Sequence, residues 1–139
     1  MAHPDLDRLL SFCIPFAQDQ LKKRGEFYPF AANVLPDGQL NPIAIDDGSA
    51  EKPVPSEMID EFVTFFRGFA SRGVLEAVAI CYDGRVTLPG KEKQDAVTVF
   101  LEHSNGESAT IYIPYTKRKL LGYKFDQLVG VEADRRIFI

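Results

Sequence analysis

The feature that most constrains the fold is a phenylalanine-rich helical pattern between residues 56 and 72. Apolar side chains recur there at spacings of three and four, which is the period of one helix face. The face consists of Met58, Ile59, Phe62, Phe65, Phe66 and Phe69. Each aromatic ring buries on the order of 150–250 Å² when it packs, so this face needs a broad apolar surface opposite it. The pattern therefore predicts a helix that packs against a sheet, and core packing explains it better than a cofactor site does.

A second helix is predicted over residues 5–24, where apolar residues again follow the helical period. Its stripe consists of Leu6, Leu9, Leu10, Cys13, Ala17 and Leu21. Pro15 lies inside this pattern, and a proline in a helix removes one backbone donor and clashes with the preceding turn. We therefore expect a kink, or two shorter helices that meet near Ile14.

Strand patterns and turn signals occupy most of the remaining chain. Pro36-Asp37-Gly38 predicts a turn inside a hairpin of residues 27–46, and Asn105-Gly106 predicts a second hairpin. Residues 74–82 are almost continuously apolar, which is typical of a strand covered on both faces. Residues 85–88 either continue that strand or turn back beside it. The apolar end of the chain is expected to dock as a final strand or into a partner.

These segments predict one α+β domain over residues 1–139, with the order α-β-β-α-β-β-β. We expect an antiparallel sheet of about five or six strands with the two main helices on one face. The chain is 45% hydrophobic and 26% charged and has no apolar run of membrane-spanning length. This composition excludes the disordered, collagen-like and transmembrane classes.

Bulk charge and the first residues indicate a compartment and a class of partner. The N-terminal residues form neither a basic nor an apolar segment of a secretory signal, so we expect a cytoplasmic protein. A net charge of −4 argues against nucleic acid as a partner, and we expect no membrane partner either. The basic run 22–24 suits a helix end. The run Lys117-Arg118-Lys119 has no such explanation, although a solvated loop is its commonest context.

One pair of residues resembles a nucleophile and its base. Cys81 and His103 lie near the ends of predicted strands, and their side chains could meet if those strands are neighbours. The group that orients the base would be Glu102, Asp83 or Glu107. Burial as free thiols is the alternative for both cysteines of the chain.

Other chemistry-bearing residues are few. Asp46 and Asp47 end a predicted strand in a loop, where they suit either an acid/base pair or an ordinary turn. Tyr28, Asp83 and Arg85 are candidates to line a pocket. No motif for zinc, EF-hand calcium, a nucleotide phosphate or a serine nucleophile is present in the sequence, so we expect no metal and no cofactor.

The second face of the late strands offers an interaction surface. Its candidate residues are Tyr82, Phe100, Tyr112 and Tyr115. If the helices cover the other face, these rings are exposed among threonines, and a large exposed apolar patch usually marks an interface. Ordinary cross-strand pairing under a loop or the C-terminal segment is the alternative.

Several short segments resemble a small bacterial family of uncharacterised proteins. They are residues 25–31, 81–90, 101–103 and 114–116, with the sequences GEFYPFA, CYDGRVTLPG, LEH and PYT. The resemblance covers roughly residues 20–116 and implies a free-standing bacterial cytoplasmic protein, and it brings no activity, ligand or catalytic residue with it. The order of elements is similar to that of roadblock and profilin-like domains, and such a topological likeness does not license a function.

Three functions remain open from the sequence. The first is a non-catalytic module that homodimerises or binds a protein partner through its sheet face and apolar C-terminal segment. The second is a small enzyme or ligand-binding domain that uses Cys81 and His103 with Asp83 and Arg85. The third is an immunity or antitoxin protein, because such proteins are often small, acidic and free of motifs.

Overall fold

The computed structural model describes residues 3–44 and 53–139, which form two helices and an antiparallel sheet. The predicted α+β class and the predicted order of elements are confirmed. Asp46 and Asp47 lie outside the described residues. The elements are α1 (Pro4–Arg24), β1 (Phe30–Val34), β2 (Leu40–Ile43), α2 (Pro55–Ala70), β3 (Ala77–Thr87), β4 (Lys93–His103), β5 (Ser108–Arg118), β6 (Gly122–Phe125) and β7 (Val129–Glu132).

The sheet has the strand order β2-β1-β3-β4-β5-β6, and every neighbouring pair is antiparallel. Strands β3 and β4 form its centre and pair along their whole length, from Ala77 opposite His103 to Thr87 opposite Lys93. Residues 85–87 therefore continue β3 and do not turn back. The outer edge of β5 is shared, because β7 pairs with its first half and β6 with its last four residues.

The two helices lie on opposite faces of this sheet, so the expectation that both cover one face is wrong. Leu9 and Cys13 of α1 belong to one core cluster with Ala79 of β3. Phe62 of α2 belongs to a second cluster with Val78, the neighbour of Ala79. Successive side chains of a strand point to opposite faces, so one apolar strand can supply both clusters. The almost continuous apolar run of β3 is the sequence counterpart of this arrangement.

Helix α1 runs without interruption, so Pro15 does not divide it. Pro15 lies on the exposed side of the helix, as does Ser11, whose carbonyl loses its usual intrahelical partner. Water can hydrogen-bond to that carbonyl, which reduces the cost of the proline. The buried stripe is the predicted one except that Leu10 is only partly buried.

The C-terminal segment closes the face that α2 covers. Ile137 is 2% exposed and packs in the same cluster as Phe62 and Phe66 of α2 and Phe100 of β4. The segment thus docks on the protein's own core, not as a strand but as irregular structure that follows β7. Within the described residues, no helix is long and apolar enough to cross a membrane.

Candidate functional site

The structure does not bring Cys81 and His103 together. His103 pairs with Ala77 across the central strands, whereas Cys81 pairs with Val99, four residues further along each strand. At 3.2–3.4 Å per residue the two lie about 13 Å apart. Cys81 is fully buried, and burial, together with a hydrogen bond to Cys13, raises the pKa of its thiol well above the ordinary value. A buried neutral thiol without a base is a poor nucleophile, so the predicted pair is not a catalytic dyad.

His103 instead belongs to a polar cluster that ties the start of α1 to the β4–β5 turn. Its Nε2 lies 3.1 Å from Oδ2 of Asp5, and its Nδ1 accepts the backbone N–H of Asn105 at 3.0 Å. His3 caps α1, because its Nδ1 accepts the backbone N–H of Asp5 at 3.0 Å. The backbone N–H of His3 in turn donates to Glu107 at 3.2 Å.

His3, Asp5 and His103 present three potential ligand atoms within 4.8 Å of one another. Their hydrogen bonds do not suit a metal ion. In both imidazoles Nδ1 accepts a backbone N–H, which assigns the proton of each neutral ring to Nε2. A metal bound at Nε2 would require the proton to move to Nδ1, where it would face the N–H of Asn105. We therefore interpret the cluster as a structural clasp.

Asp83 and Arg85 do not converge with Tyr28 on a common pocket. Asp83 accepts a hydrogen bond of 2.6 Å from the hydroxyl of Tyr115, and Arg85 lies 3.4 Å from Asp95 on the neighbouring strand. Partial burial raises the pKa of Asp83, and the hydrogen bond from Tyr115 opposes that shift. Tyr28 lines a separate hollow beside β1, whose described lining contains neither Asp83 nor Arg85.

The predicted interaction face is divided and largely covered. Tyr82 and Tyr112 lie opposite Thr98, on the face that α2 covers, and both are half-buried. Phe100 is on the same face but only 4% exposed, because α2 and the C-terminal segment pack over it. Tyr115 belongs to the opposite core cluster, beneath α1. These four residues therefore form no continuous exposed surface.

Glu102 has a structural role that the sequence did not indicate. The sequence suggested this residue only as a group that could orient His103. Its side chain is fully buried, and its carboxylate accepts the backbone N–H groups of Arg136, Ile137 and Phe138 at 2.6–3.2 Å. Arg135 lies 3.8 Å from the same carboxylate. The charge is thus satisfied by three consecutive amides and one guanidinium, and it fixes the C-terminal segment to β4.

An open apolar groove lies between the end of α2 and the β1–β2 hairpin, with a volume of about 540 Å³. We call it the α2 groove. Phe65 and Val74 flank it with 43% and 41% of their surfaces exposed. The remaining lining consists of Asn33, Leu35, Pro36, Asp37, Phe69, Arg72, Gly73 and Leu75. The volume falls within the range of about 300–1,000 Å³ that is usual for binding sites.

Three polar groups accompany this apolar lining. Oδ1 of Asn33 is buried and has no hydrogen-bond partner among the described residues. The guanidinium of Arg72 stacks 4.8 Å from the Phe69 ring, and its Nε donates to the Gly68 carbonyl at 3.3 Å. Asp37 accepts the backbone N–H of Gln39 with one oxygen. The groove therefore offers apolar surface, a cation and a carboxylate together.

The sequence placed Phe65 and Phe69 in the core and so missed this site. Both have the right spacing, but the buried stripe of α2 is narrower than the run of apolar residues and centres on Phe62 and Phe66. The sequence feature that could have indicated the exposed rings was the number of phenylalanines on α2. The helix carries more phenylalanine rings than one face of the sheet can cover.

Comparison with known proteins identifies no relative, since no family model, no curated protein and no solved structure matches the chain. Among the sites described above, the α2 groove combines exposed apolar side chains with charges of both signs.

Proposed function

We propose that this protein is a non-catalytic interaction module that pairs with a second copy of itself through the α2 groove. The observation that carries the proposal is the exposure of Phe65 and Val74 beside a groove of about 540 Å³. Large apolar side chains exposed next to one another, with charged residues close by, are typical of protein interfaces.

The apolar part of the groove supplies the driving force. Phe65 packs against Phe66 and Phe69 with ring centroids 5.5 Å and 4.8 Å away, and these contacts restrict the ring before any partner binds. A preorganised aromatic residue loses little conformational freedom on association. In a twofold pair, the exposed ring of each copy covers the groove of the other.

The charged residues at the groove suit a second copy as the occupant. Arg72 is a cation and Asp37 an anion on the same surface, and both are exposed. A twofold axis makes every contact occur twice, so Arg72 of each copy can pair with Asp37 of the other. This self-complementarity favours a homodimer over a partner that carries a single sign of charge.

The catalytic alternative has less support. It required Cys81 and His103 to meet, and these side chains are separated along the central strands. His103 is engaged with Asp5 and Asn105, which leaves its ring nitrogens occupied.

Sedimentation equilibrium on the full chain tests the proposal. The wild type is expected to associate to a dimer at high micromolar concentration. Phe65→Glu is expected to be monomeric under the same conditions, because it buries a carboxylate in the apolar part of the interface. Glu61→Gln, an exposed change one helical turn away, serves as the control and should dimerise like the wild type.

Two results would count against the proposal. One is a wild type that remains monomeric at every concentration reached. The other is a dimer that Phe65→Glu does not weaken although its circular dichroism spectrum shows a folded protein.

A further inference from the structure

The unexplained basic run lies at the tip of a two-stranded ribbon formed by residues 115–125, which we call the tip ribbon. Strand β4 pairs with β5 only as far as Pro114, so the last four residues of β5 pair with β6 alone. The ribbon is therefore a two-stranded unit of its own, whose turn lies at the same end of the molecule as the β3–β4 turn. It lies at the β6 edge, whereas the α2 groove lies beside β1 and β2 at the other edge.

The tip carries two strongly exposed leucines. Leu120 is completely exposed, at 103%, and Leu121 is 70% exposed. Leu120 also adopts φ +67°, the left-handed region that residues with a side chain rarely occupy, whereas Gly122 adopts φ +75° in the same turn. The backbone thus holds an apolar side chain outward at a position where folding gives it no apolar contact.

Cations surround these leucines on both faces of the ribbon. Lys117 lies opposite Tyr123 on one face, and Arg118 points to the other because successive strand residues alternate. Lys119 and Lys124 complete the set, and residues 116–124 contain no carboxylate. Such a concentration of positive charge is unusual in a protein whose formal net charge is −4.

We propose that the tip ribbon binds an anionic lipid surface, with Leu120 and Leu121 in the acyl region and the surrounding cations at the headgroups. The charge complementarity is direct, because basic side chains beside exposed apolar ones are the combination that peripheral proteins use on anionic leaflets. The exposed leucines favour a lipid surface over nucleic acid as the partner. Nucleic acid can bind cations and stack on aromatic rings, but it has no apolar interior that would accept a leucine side chain. The proposal differs from the sequence-based expectation of no membrane partner, and it requires no membrane-spanning helix.

Vesicle flotation with the full chain tests it, with phosphatidylcholine vesicles compared with phosphatidylcholine–phosphatidylglycerol vesicles. We expect binding to the anionic vesicles only, and its loss on addition of salt. The double variant Lys117→Gln/Lys119→Gln should lower the partition coefficient about fivefold for each cation removed. The double variant Leu120→Ser/Leu121→Ser should lower it by at least about tenfold while leaving every cation in place.

The matched control is Arg8→Gln, which removes one exposed cation near the start of α1, at the opposite end of the sheet from the tip, and should bind like the wild type. Because both leucines are exposed, their replacement leaves the core intact, and unchanged thermal unfolding verifies this. Absence of binding to anionic vesicles at low salt would overturn the proposal, as would equal binding to pure phosphatidylcholine. A third outcome is that the wild type and the leucine variant both bind nucleic acid and neither binds vesicles. That result would mean that the cations of the tip ribbon bind nucleic acid and not lipid.

Discussion

At the level of single residues, Glu102 is the one carboxylate among the described residues that is fully buried. Its fully buried carboxylate accepts three consecutive backbone N–H groups, and Ile137 among them is itself part of the core. A buried charge is stable only when its hydrogen-bonding capacity is used, and here the C-terminal segment provides the donors. The docking of that segment therefore depends on one side chain of β4.

Replacing Glu102 with alanine should release the C-terminal segment. We expect a loss of about 2–4 kcal/mol in the free energy of unfolding, because several buried donors lose a charged acceptor. Urea denaturation measures the loss, and hydrogen exchange should become faster at the amides of Arg136, Ile137 and Phe138. Glu92→Ala, in an exposed loop, is the control. Unchanged exchange at these three amides in Glu102→Ala would contradict the assigned role.

The burial of Cys81 predicts how stability depends on pH. Because the pKa of its thiol is raised in the folded protein, the unfolded chain loses this proton at a lower pH than the folded one. Stability from this group is therefore complete below the ordinary thiol pKa and decreases as the pH rises above it, by up to about 1.4 kcal/mol per pH unit. Urea denaturation at several alkaline pH values measures the free energy of unfolding at each pH. This free energy should fall less steeply with rising pH in Cys81→Ala than in the wild type.

The same burial predicts that the thiol of Cys81 is unreactive in the folded protein. A thiol-alkylating probe should modify it only under denaturing conditions, because neither the thiolate nor access is available in the folded state. Mass spectrometry after a timed reaction distinguishes the two conditions. Rapid modification of Cys81 in the native protein would revive the catalytic alternative.

At the scale of elements, α2 has two apolar surfaces with different roles. Phe62 is completely buried against the sheet, whereas Phe65, three residues later, is 43% exposed at the α2 groove. Phe62→Ala should therefore cost about 3–5 kcal/mol of stability, as for other buried phenylalanines. Phe65→Ala should cost only about 1 kcal/mol, mainly from its contacts with neighbouring rings.

Denaturant unfolding of both variants at low protein concentration, where association is negligible, checks this prediction. Association at high concentration provides a second readout of the proposed dimer, because Phe65→Ala should weaken it while Phe62→Ala acts on folding. Equal destabilisation by the two substitutions would mean that Phe65 is a core residue and that the groove is not a free surface.

The elements themselves were well predicted because periodicity and turn chemistry are local. The α1 stripe and the Asn105-Gly106 hairpin follow from residues that are neighbours in sequence. The face of the sheet that each helix covers was not predictable in this way. The apolar run of β3 serves two faces, and no local pattern specifies that α1 covers one and α2 the other.

At the scale of the whole molecule, the candidate site depends on contacts between distant segments. The α2 groove combines Asp37 of the first hairpin with Phe65 and Arg72 near the end of α2. The Glu102 carboxylate meets amides more than thirty residues away. Neither contact follows from a regular spacing of residues in the sequence. The composition showed that the chain can form a core, but it did not show which apolar residues stay outside that core.

The two surfaces proposed for binding lie at opposite edges of the sheet. The α2 groove is beside β1 and β2, and the tip ribbon is formed by β5 and β6. A dimer formed through the first surface leaves both copies of the second uncovered.

Mixing two charge-reversed variants provides a stringent test of twofold pairing through the α2 groove. Asp37→Arg and Arg72→Asp each place like charges opposite one another in a homodimer, so each variant alone should be monomeric. In the mixed pair both contacts join an arginine to an aspartate again. Sedimentation equilibrium should therefore show a dimer for the wild type and for the equimolar mixture, and monomers for each variant alone. A mixture that stays monomeric while the wild type dimerises, or a wild type that never associates, would rule out the pairing of Asp37 with Arg72 across a twofold axis.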